Sequence, residues 1–176
     1  MGTAQTPQPV KLVASLFASD LTLLEAARCS MEAVFGALDY SSPPLPFDHT
    51  DYYTAEFGPQ LVRLILAFER LIHPGALAQI KTQTNALEQR WLIQGRRQVN
   101  IDPGYVSLSK LVLATTKNHA HRIYLADGIY AEVTLHYRDG AFCGWPWSYP
   151  DYASPSYCRM FEAIRELYHR QLRSSS

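Results

Sequence analysis

The chain has 176 residues, of which 47% are hydrophobic and 18% charged, so it can bury a core and is not globally disordered. Sixteen basic residues balance sixteen acidic ones, which excludes a general attraction to nucleic acids or anionic membranes. No apolar run approaches the roughly 18 residues of a membrane span, and residues 1–9 lack the pattern of a secretory signal. Cys29, Cys143 and Cys158 fit neither a disulfide framework nor a zinc ribbon, so we expect a cytoplasmic protein.

The first part of the chain predicts a strand, a helix and a second strand. Residues 1–9 are expected to form a flexible tail, and Val10–Ala18, dense in Val, Leu and Phe, predicts a buried strand. Residues 19–20 offer a helix N-cap, and Gly36 is expected to end the helix. A short strand is predicted at Leu38–Ser41.

The middle of the chain predicts a strand and an amphipathic helix. Prolines within residues 43–46 indicate an extended connection. Alternating apolar side chains at residues 62–68 favour a strand, although a helix stays open because both faces carry apolar residues. Pro74 suits the first turn of a helix whose apolar residues recur at three- and four-residue steps over residues 77–91.

A second strand region follows this helix. Val99 and Ile101 predict a strand, and the Asp-Pro-Gly sequence at residues 102–104 is expected to end it in a tight turn. Residues 106–116 are compatible with either a helix or a strand.

A β-hairpin comes next. A three-residue loop at residues 126–128 would place Leu125 opposite Ile129. On this register the apolar residues share one face, and Arg122 lies opposite Glu132, where an ion pair is expected. A two-residue loop would mix the apolar and polar sets, so burial favours the longer loop.

The last elements complete the predicted fold. Residues 145–152 form an aromatic loop interrupted by prolines, and Ser154 with Pro155 predicts the start of a C-terminal helix. The order of the earlier elements matches the split βαβ pattern. We therefore expect an α+β fold with a ferredoxin-like antiparallel sheet (a βαββαβ core), an added β-hairpin and a C-terminal helix, in a single domain over residues 10–173. The face of the sheet away from the first helices is expected to be open or covered by the C-terminal elements.

Basic residues around the hairpin are the first candidate ligand site. Lys110, Lys117 and Arg122, with neighbouring Ser and Thr hydroxyls, offer donors that suit phosphate. Residues 110–117 lack a glycine-rich cradle, so they are not a Walker loop. The alternative is that both lysines are surface residues and that Arg122 only pairs across the strands.

Three side chains are candidates for acid–base chemistry: His121, Asp102 and Glu132. An imidazole or a carboxylate can move a proton if it lies within hydrogen-bonding reach of the substrate. The alternatives are that Asp102 only accepts hydrogen bonds in a turn and that Glu132 only pairs with Arg122. No established catalytic signature accompanies these residues, and the sequence leaves the cofactor unknown.

A candidate metal site lies at Asp48, His49 and Asp51, because carboxylate and imidazole groups bind divalent cations. Their spacing matches no standard site, and the alternative is a loop in which the aspartates cap turns. We therefore assign no metal. The aromatic loop at residues 145–152 suits ligand stacking or a partner surface, and alternatively forms a lid over an open sheet face.

Several long stretches together resemble a known bacterial family. They are residues 47–53 (FDHTDYY), 68–72 (FERLI), 99–105 (VNIDPGY), 110–117 (KLVLATTK), 121–125 (HRIYL), 127–135 (DGIYAEVTL) and 146–152 (PWSYPDY). On these residues the chain resembles the family named domain of unknown function 4416, over nearly its whole length. The resemblance implies a widespread single-domain prokaryotic protein, and it implies no activity and no catalytic residue. His49 and Cys143 are positions that such a family is not expected to require.

Two function classes follow. In the first, the protein binds or acts on a phosphorylated small molecule such as a nucleotide. Lys110, Lys117 and Arg122 would hold the phosphate, and Tyr124 and Tyr130 on the polar hairpin face would wall the pocket. The alternative is a non-catalytic protein-interaction or regulatory module that uses the polar sheet face or the aromatic loop. A homo-oligomer formed through a sheet edge belongs to this class.

Overall fold

The structure is a computed structural model that describes residues 2–47, 57 and 61–174. In chain order its main elements are β1 (Val10–Ala18), α1 (Leu21–Phe35), β2 (Leu38–Ser41), β3 (Leu45–Phe47), β4 (Leu61–Ile72), α2 (Leu77–Glu88), β5 (Leu92–Ile93), β6 (Arg96–Arg97), β7 (Val99–Val106), β8 (Lys110–Thr115), β9 (Ile123–Ala126), β10 (Ile129–Arg138), β11 (Ala141–Gly144) and α3 (Pro155–Ser174). Short 3₁₀ turns flank α2. Within the described residues, none of the helices combines the length and apolar character needed to cross a bilayer.

The described strands build one large antiparallel sheet. Its order is β11-β10-β8-β7-β1-β4-β2, with β3 paired to β4 and β9 paired to β10, and β5 and β6 form a separate hairpin. The α+β class, the antiparallel sheet and the C-terminal helix are therefore confirmed. The sheet is larger than the expected core, since nine strands join it in the described part of the chain.

Both faces of the central strands are buried. Leu12 and Leu16 of β1 pack on one face with α1 and α2, through residues such as Leu24 and Ile80. Val13 points to the opposite face, where α3 covers the sheet. The C-terminal elements therefore cover the second face, and strands buried on both sides explain the nearly continuous apolar runs of β1 and β4.

The ends of α1 follow the predicted signals. Asp20 caps the helix, because its carboxylate accepts hydrogen bonds from the backbone N–H groups of Thr22 at 2.6 Å and Leu23 at 3.3 Å. These bonds lower the pKa of Asp20. Gly36 ends the helix with a φ of +99°, a conformation that side chains with a Cβ rarely adopt.

The turn predicted at residues 102–104 is wrong. Strand β7 continues through Pro103 and Gly104 to Val106, and it pairs with β1 along its whole length, with Pro103 opposite Ala14. Hydrogen bonding to β1 therefore overrides the local turn preference of the Asp-Pro-Gly sequence.

Strand β7 pairs with its second neighbour, β8, over only its last three residues. The β7–β8 ladder begins at Gly104 opposite Leu113 and runs to Val106 opposite Leu111. A Cβ on Gly104 would lie 2.3 Å from the carbonyl oxygen of Val112, so only glycine permits this close approach. Before Gly104 the two strands separate, and the sheet has a gap.

Helix α2 lies against the gap and completes the hydrogen bonding of β7. The carboxylate of Glu88 accepts from the backbone N–H of Ile101 at 2.7 Å, and Lys81 Nζ donates to the Ile101 carbonyl at 2.8 Å. Alternate residues of a strand direct their backbone groups to the same side, so Pro103 faces the gap as well, where its missing N–H costs no hydrogen bond. Two buried charged side chains thus replace a neighbouring strand.

The predicted hairpin forms with a different loop. The turn has two residues, Asp127 and Gly128, both with positive φ, so the three-residue loop is wrong. Ala126 pairs with Ile129, and a register shift next to this pair restores the predicted pairing of Tyr124 with Tyr130. A two-residue loop alone would place apolar and polar side chains on the same face of the hairpin. The bulge shifts the register by one residue and so keeps the two kinds of side chain on opposite faces.

We expect the charge of Glu88 to matter less for stability than its hydrogen bond. Glu88→Gln keeps a side-chain oxygen for the Ile101 N–H, whereas Glu88→Leu leaves that buried donor unsatisfied. Urea denaturation should show Glu88→Gln within about 1 kcal/mol of the wild type and Glu88→Leu destabilised by about 1–3 kcal/mol. Equal losses in both variants would contradict the role assigned to this bond.

The pH dependence of the unfolding free energy gives an independent check on the role of Glu88. Burial raises the pKa of Glu88 in the folded protein, against the lowering effect of Lys81. A carboxyl with a raised folded-state pKa is relatively stabilising at low pH, and this contribution is lost as the pH rises through that pKa. The unfolding free energy of the wild type relative to Glu88→Gln should therefore fall as the pH rises above about 4.5, the ordinary pKa of a glutamate. A rise above that pH would show that the neighbouring cations dominate instead.

Candidate functional site

A cavity of about 590 Å³ lies at the gap between β7 and β8. Its wall comes from β7, the end of β8, α2, β6, β4, the hairpin and the aromatic loop. The charged side chains that line it are Arg63, Lys81, Arg97, Lys117, Arg122, Asp102, Glu132 and Asp151. Because β7 and β8 part here, side chains from both faces of the sheet reach one space.

The aromatic loop is anchored to the sheet by a buried ion pair between Arg63 on β4 and Asp151. Aromatic rings surround the guanidinium, whose central carbon lies 3.8 Å from the ring centroid of Phe47 and 5.5 Å from that of Tyr152. Asp151 also accepts from the backbone N–H of Tyr152 at 2.8 Å. The pair therefore holds one wall of the cavity against the central strands.

Electrostatics keeps this anchor charged. Burial disfavours the charge of Arg63, yet its pKa lies above the ordinary value, because the Tyr152 phenolate would attract the guanidinium at high pH and the Asp151 carboxylate already attracts it at neutral pH. Burial raises the pKa of Tyr152, so its phenol stays protonated at neutral pH. Arg63 is thus a permanent cation at the cavity, paired with a carboxylate and packed between rings.

A chain of hydrogen bonds links polar side chains along residues 99–103 of β7, the part of the strand that does not pair with β8. Arg97 donates to the side-chain oxygen of Asn100 at 2.9 Å, and Asn100 Nδ2 donates to Asp102 at 2.7 Å. Lys81 Nζ donates to the other carboxylate oxygen of Asp102 at 3.1 Å. These bonds hold the Asp102 carboxylate in one orientation at the cavity, where it is suited to accept a hydrogen bond from a ligand.

The opposite wall is built around Glu132 on β10. Arg122 Nε donates to Glu132 Oε2 at 2.9 Å, which confirms the predicted cross-strand pair. Arg122 Nη1 also donates to the carbonyl of Lys117 at 3.0 Å, and His121 Nε2 lies 3.0 Å from the same Glu132 oxygen. The buried carboxylate therefore orients a guanidinium and an imidazole beside the end of β8.

The composition of the wall favours an anionic, polar occupant. Five cationic side chains and three carboxylates line the cavity, and Arg97 is paired at 3.3 Å with a fourth carboxylate, that of Glu88, so the cations are in excess by one. Asn85, Thr115 and Thr116 add neutral hydrogen-bonding groups. The cations come from separate elements, so the sheet and helix frame fixes their spacing. Clefts with an excess of one sign of charge attract ligands of the opposite sign.

The aromatic loop also caps an irregular part of β10. The β8–β10 pairing slips between Val133 and Leu135, which leaves carbonyl groups for other donors. Trp147 Nε1 donates to the Val133 carbonyl at 3.2 Å, and Ser148 donates to the Thr134 carbonyl. The loop is thus partly the predicted lid, yet Trp145 and Trp147 stay more than a third exposed.

The structure brings together some of the predicted site residues. Lys117, Arg122, Asp102 and Glu132 line the cavity, and His121 contacts Glu132 behind it. Among the described residues, three predicted ligand contacts lie outside the cavity wall: Lys110, Tyr124 and Tyr130. Lys110 is at the other end of β8, opposite His136, and the two tyrosine rings pack on each other at 5.4 Å.

The metal candidates Asp48, His49 and Asp51 lie outside the described residues. Across the parts of the chain that the structure describes, no group of three or more His, Cys, Asp or Glu side chains is arranged to hold a metal ion.

Sequence reasoning missed Arg63, Lys81 and Asp151. Arg63 interrupts an apolar run in β4, and Lys81 lies beside the apolar stripe of α2, so each is a charged residue at a buried position. Buried charges are rare unless paired, and this was the available signal. Nothing local identifies Asp151 as the partner, which is 88 residues from Arg63.

Comparison with known proteins gives a family and no activity. A family model described as "Domain of unknown function (DUF4416)" matches residues 8–168. Searches of curated proteins and of solved structures found no match.

The Arg63–Asp151 pair should be essential to the fold around the cavity. Asp151→Ala leaves a buried, unpaired guanidinium, and we expect a loss of about 3–5 kcal/mol in the unfolding free energy measured with urea. Glu25→Ala is the control, because its pair with Arg28 lies on the surface of α1 and should contribute less than about 1 kcal/mol. Similar losses in both variants would contradict the anchoring role.

Proposed function

The chain belongs to the family described as domain of unknown function (DUF4416), to which no activity is assigned, and we propose that it binds a phosphorylated small molecule in the cavity between β7 and β8. One observation carries the proposal: five cationic side chains from separate elements converge on a cavity of about 590 Å³. This volume lies within the range of about 300–1,000 Å³ that is usual for small-molecule sites.

The phosphate would bind at the end of β8. Lys117 follows this strand, Thr115 and Thr116 supply hydroxyls, and Arg122 crosses from the hairpin. The Thr115 hydroxyl accepts from the Lys117 backbone N–H at 3.2 Å, so the strand end is already ordered. Charge-assisted bonds from Lys and Arg to phosphate are the strongest polar contacts such a wall can offer.

The rest of the ligand would lie along β7. Asn85 and Asn100 can donate to or accept from hydroxyl and amide groups, and the Asp102 carboxylate can accept from them. Donors and acceptors both line this part of the wall, which suits the hydroxyl groups of a sugar better than a second phosphate.

Proton transfer, in this proposal, runs through Glu132, which lines the cavity and lies 3.0 Å from His121 behind the wall. An imidazole held by a buried carboxylate is a common arrangement for general acid–base catalysis. Asp102 would accept a proton on the opposite side of the cavity. These three roles extend the binding proposal to an enzyme.

We also infer that residues 10–173 form one domain with a ferredoxin-like core. The support is the strand order β7-β1-β4-β2 with antiparallel neighbours and with α1 and α2 on the same face. A βαββαβ unit produces this order when its two crossover helices pack side by side.

A protein-interaction role is the second candidate, and exposed apolar side chains favour it. Ile123 and Tyr124 in the outer strand β9 are 69% and 58% exposed. In the described residues β9 pairs only with β10, so its other edge is open to a strand of a second copy. Two residues before β9 in the chain, the ring of His121 contacts the exposed ring of Trp147, so Trp147 lies close to this surface.

Lys117→Ala should weaken ligand binding, and Lys110→Ala should not. Both lysines belong to the segment around β8, but only Lys117 lines the cavity. Loss of a charge-assisted hydrogen bond costs about 1.5–3 kcal/mol, so calorimetry should show binding weakened by roughly tenfold to a hundredfold. The ligand is first selected by thermal shift from nucleotides and sugar phosphates.

Two results would count against the proposal. Equal binding by Lys117→Ala and the wild type would remove the phosphate from the end of β8. A flat thermal-shift response of the wild type to the whole panel would reject the phosphorylated ligand and favour the interaction role.

A further inference from the structure

Five aromatic rings form a continuous stack along the outer edge of the sheet. They are, in spatial order, His136, Trp145, Trp147, His121 and His119. The centroid separations along the stack are 4.2, 5.2, 5.5 and 6.0 Å. The last three contacts are almost parallel, with interplanar angles of 9°, 14° and 15°.

Hydrogen bonds at the sheet hold the inner rings in place. Trp147 Nε1 donates to the Val133 carbonyl at 3.2 Å, and His121 Nε2 lies 3.0 Å from Glu132 Oε2. Each bond connects a ring edge to β10, which leaves the ring faces parallel to one another. Trp147 and His121 are therefore ordered before any ligand arrives, and fixing these two rings costs no further entropy on binding.

The stack ends at the cavity. His119 lines the cavity wall and is exposed, and one face of its imidazole lies against His121. Within the described residues, no other ring contact involves His119. Lys117, in the proposed phosphate site, is two residues earlier in the chain, so its Cα lies within about 7 Å of that of His119.

We propose that the ligand carries a flat aromatic ring that stacks on His119, and that it is therefore a nucleotide and not a sugar phosphate. This inference rests on the proposed function of the cavity. A nucleobase is flat on both faces and would extend the stack by one ring. A sugar phosphate would fill the phosphate site and leave the end of the stack uncovered.

The test compares ligands with and without a base. The probes are the four ribonucleoside 5′-monophosphates and ribose 5-phosphate, titrated by calorimetry into the wild type, His119→Ala and His119→Phe. Base stacking on an aromatic side chain contributes about 1–3 kcal/mol, so at least one nucleotide should bind the wild type roughly five- to a hundredfold more tightly than ribose 5-phosphate. His119→Ala should remove this advantage and leave the affinity for ribose 5-phosphate unchanged.

His119→Phe separates stacking from charge. The variant keeps a flat ring without an ionisable group, so it should retain the advantage of the nucleotide. His169→Ala on α3 is the control, because this exposed imidazole pairs with Glu166 on its own helix. It should bind every probe as the wild type does.

Each contrary outcome has a different meaning. If ribose 5-phosphate and the nucleotides bind equally well, and His119→Ala changes neither, the stacking inference is overturned and the proposed function stands. If the wild type binds none of the probes, both are overturned. If His119→Phe loses the advantage along with His119→Ala, a polar contact of the imidazole replaces stacking, and the inference is again overturned.

Discussion

The separation of β7 from β8 before Gly104 is the constraint on which the rest of the site depends. A strand that loses its neighbour inside a protein exposes backbone groups that must find other partners. Here Lys81 and Glu88 supply them from α2, which lies against the gap. The gap then becomes a cavity instead of a continued sheet, and its position determines which side chains can meet.

Paired charges keep this cavity polar and rigid. Buried ion pairs add little net stability, but losing one partner is costly, so such pairs hold a unique arrangement. Arg63 with Asp151 fixes the aromatic loop, and Arg122 with Glu132 fixes the hairpin against the end of β8. Both pairs line the cavity, so they fix the position of its walls.

Local patterns predicted the elements that local chemistry controls. The apolar run of β1, the Asp20 cap and the Arg122–Glu132 pairing depend on residues close in sequence or on a regular register, and all three were correct. The turn at Pro103 and Gly104 failed because a ladder with β1, formed by a distant segment, outweighs turn preference. The sequence pattern predicted one phosphate site containing both Lys110 and Lys117. In the structure Lys110 begins the six-residue strand β8 and Lys117 follows its end, so the two side chains lie at opposite ends of the strand.

Amide chemical-shift mapping during titration with a nucleoside 5′-monophosphate tests the central claim most directly. If the gap between β7 and β8 is the ligand site, the largest shifts belong to the part of β7 that does not pair with β8 and to the end of β8. The residues with the largest shifts should include Asn100, Asp102, Thr116 and His119. The closed end of the same strands, near Lys110, should change little. Shifts concentrated on α1 and β2, or at the closed end, would contradict the assignment of the gap as the binding site.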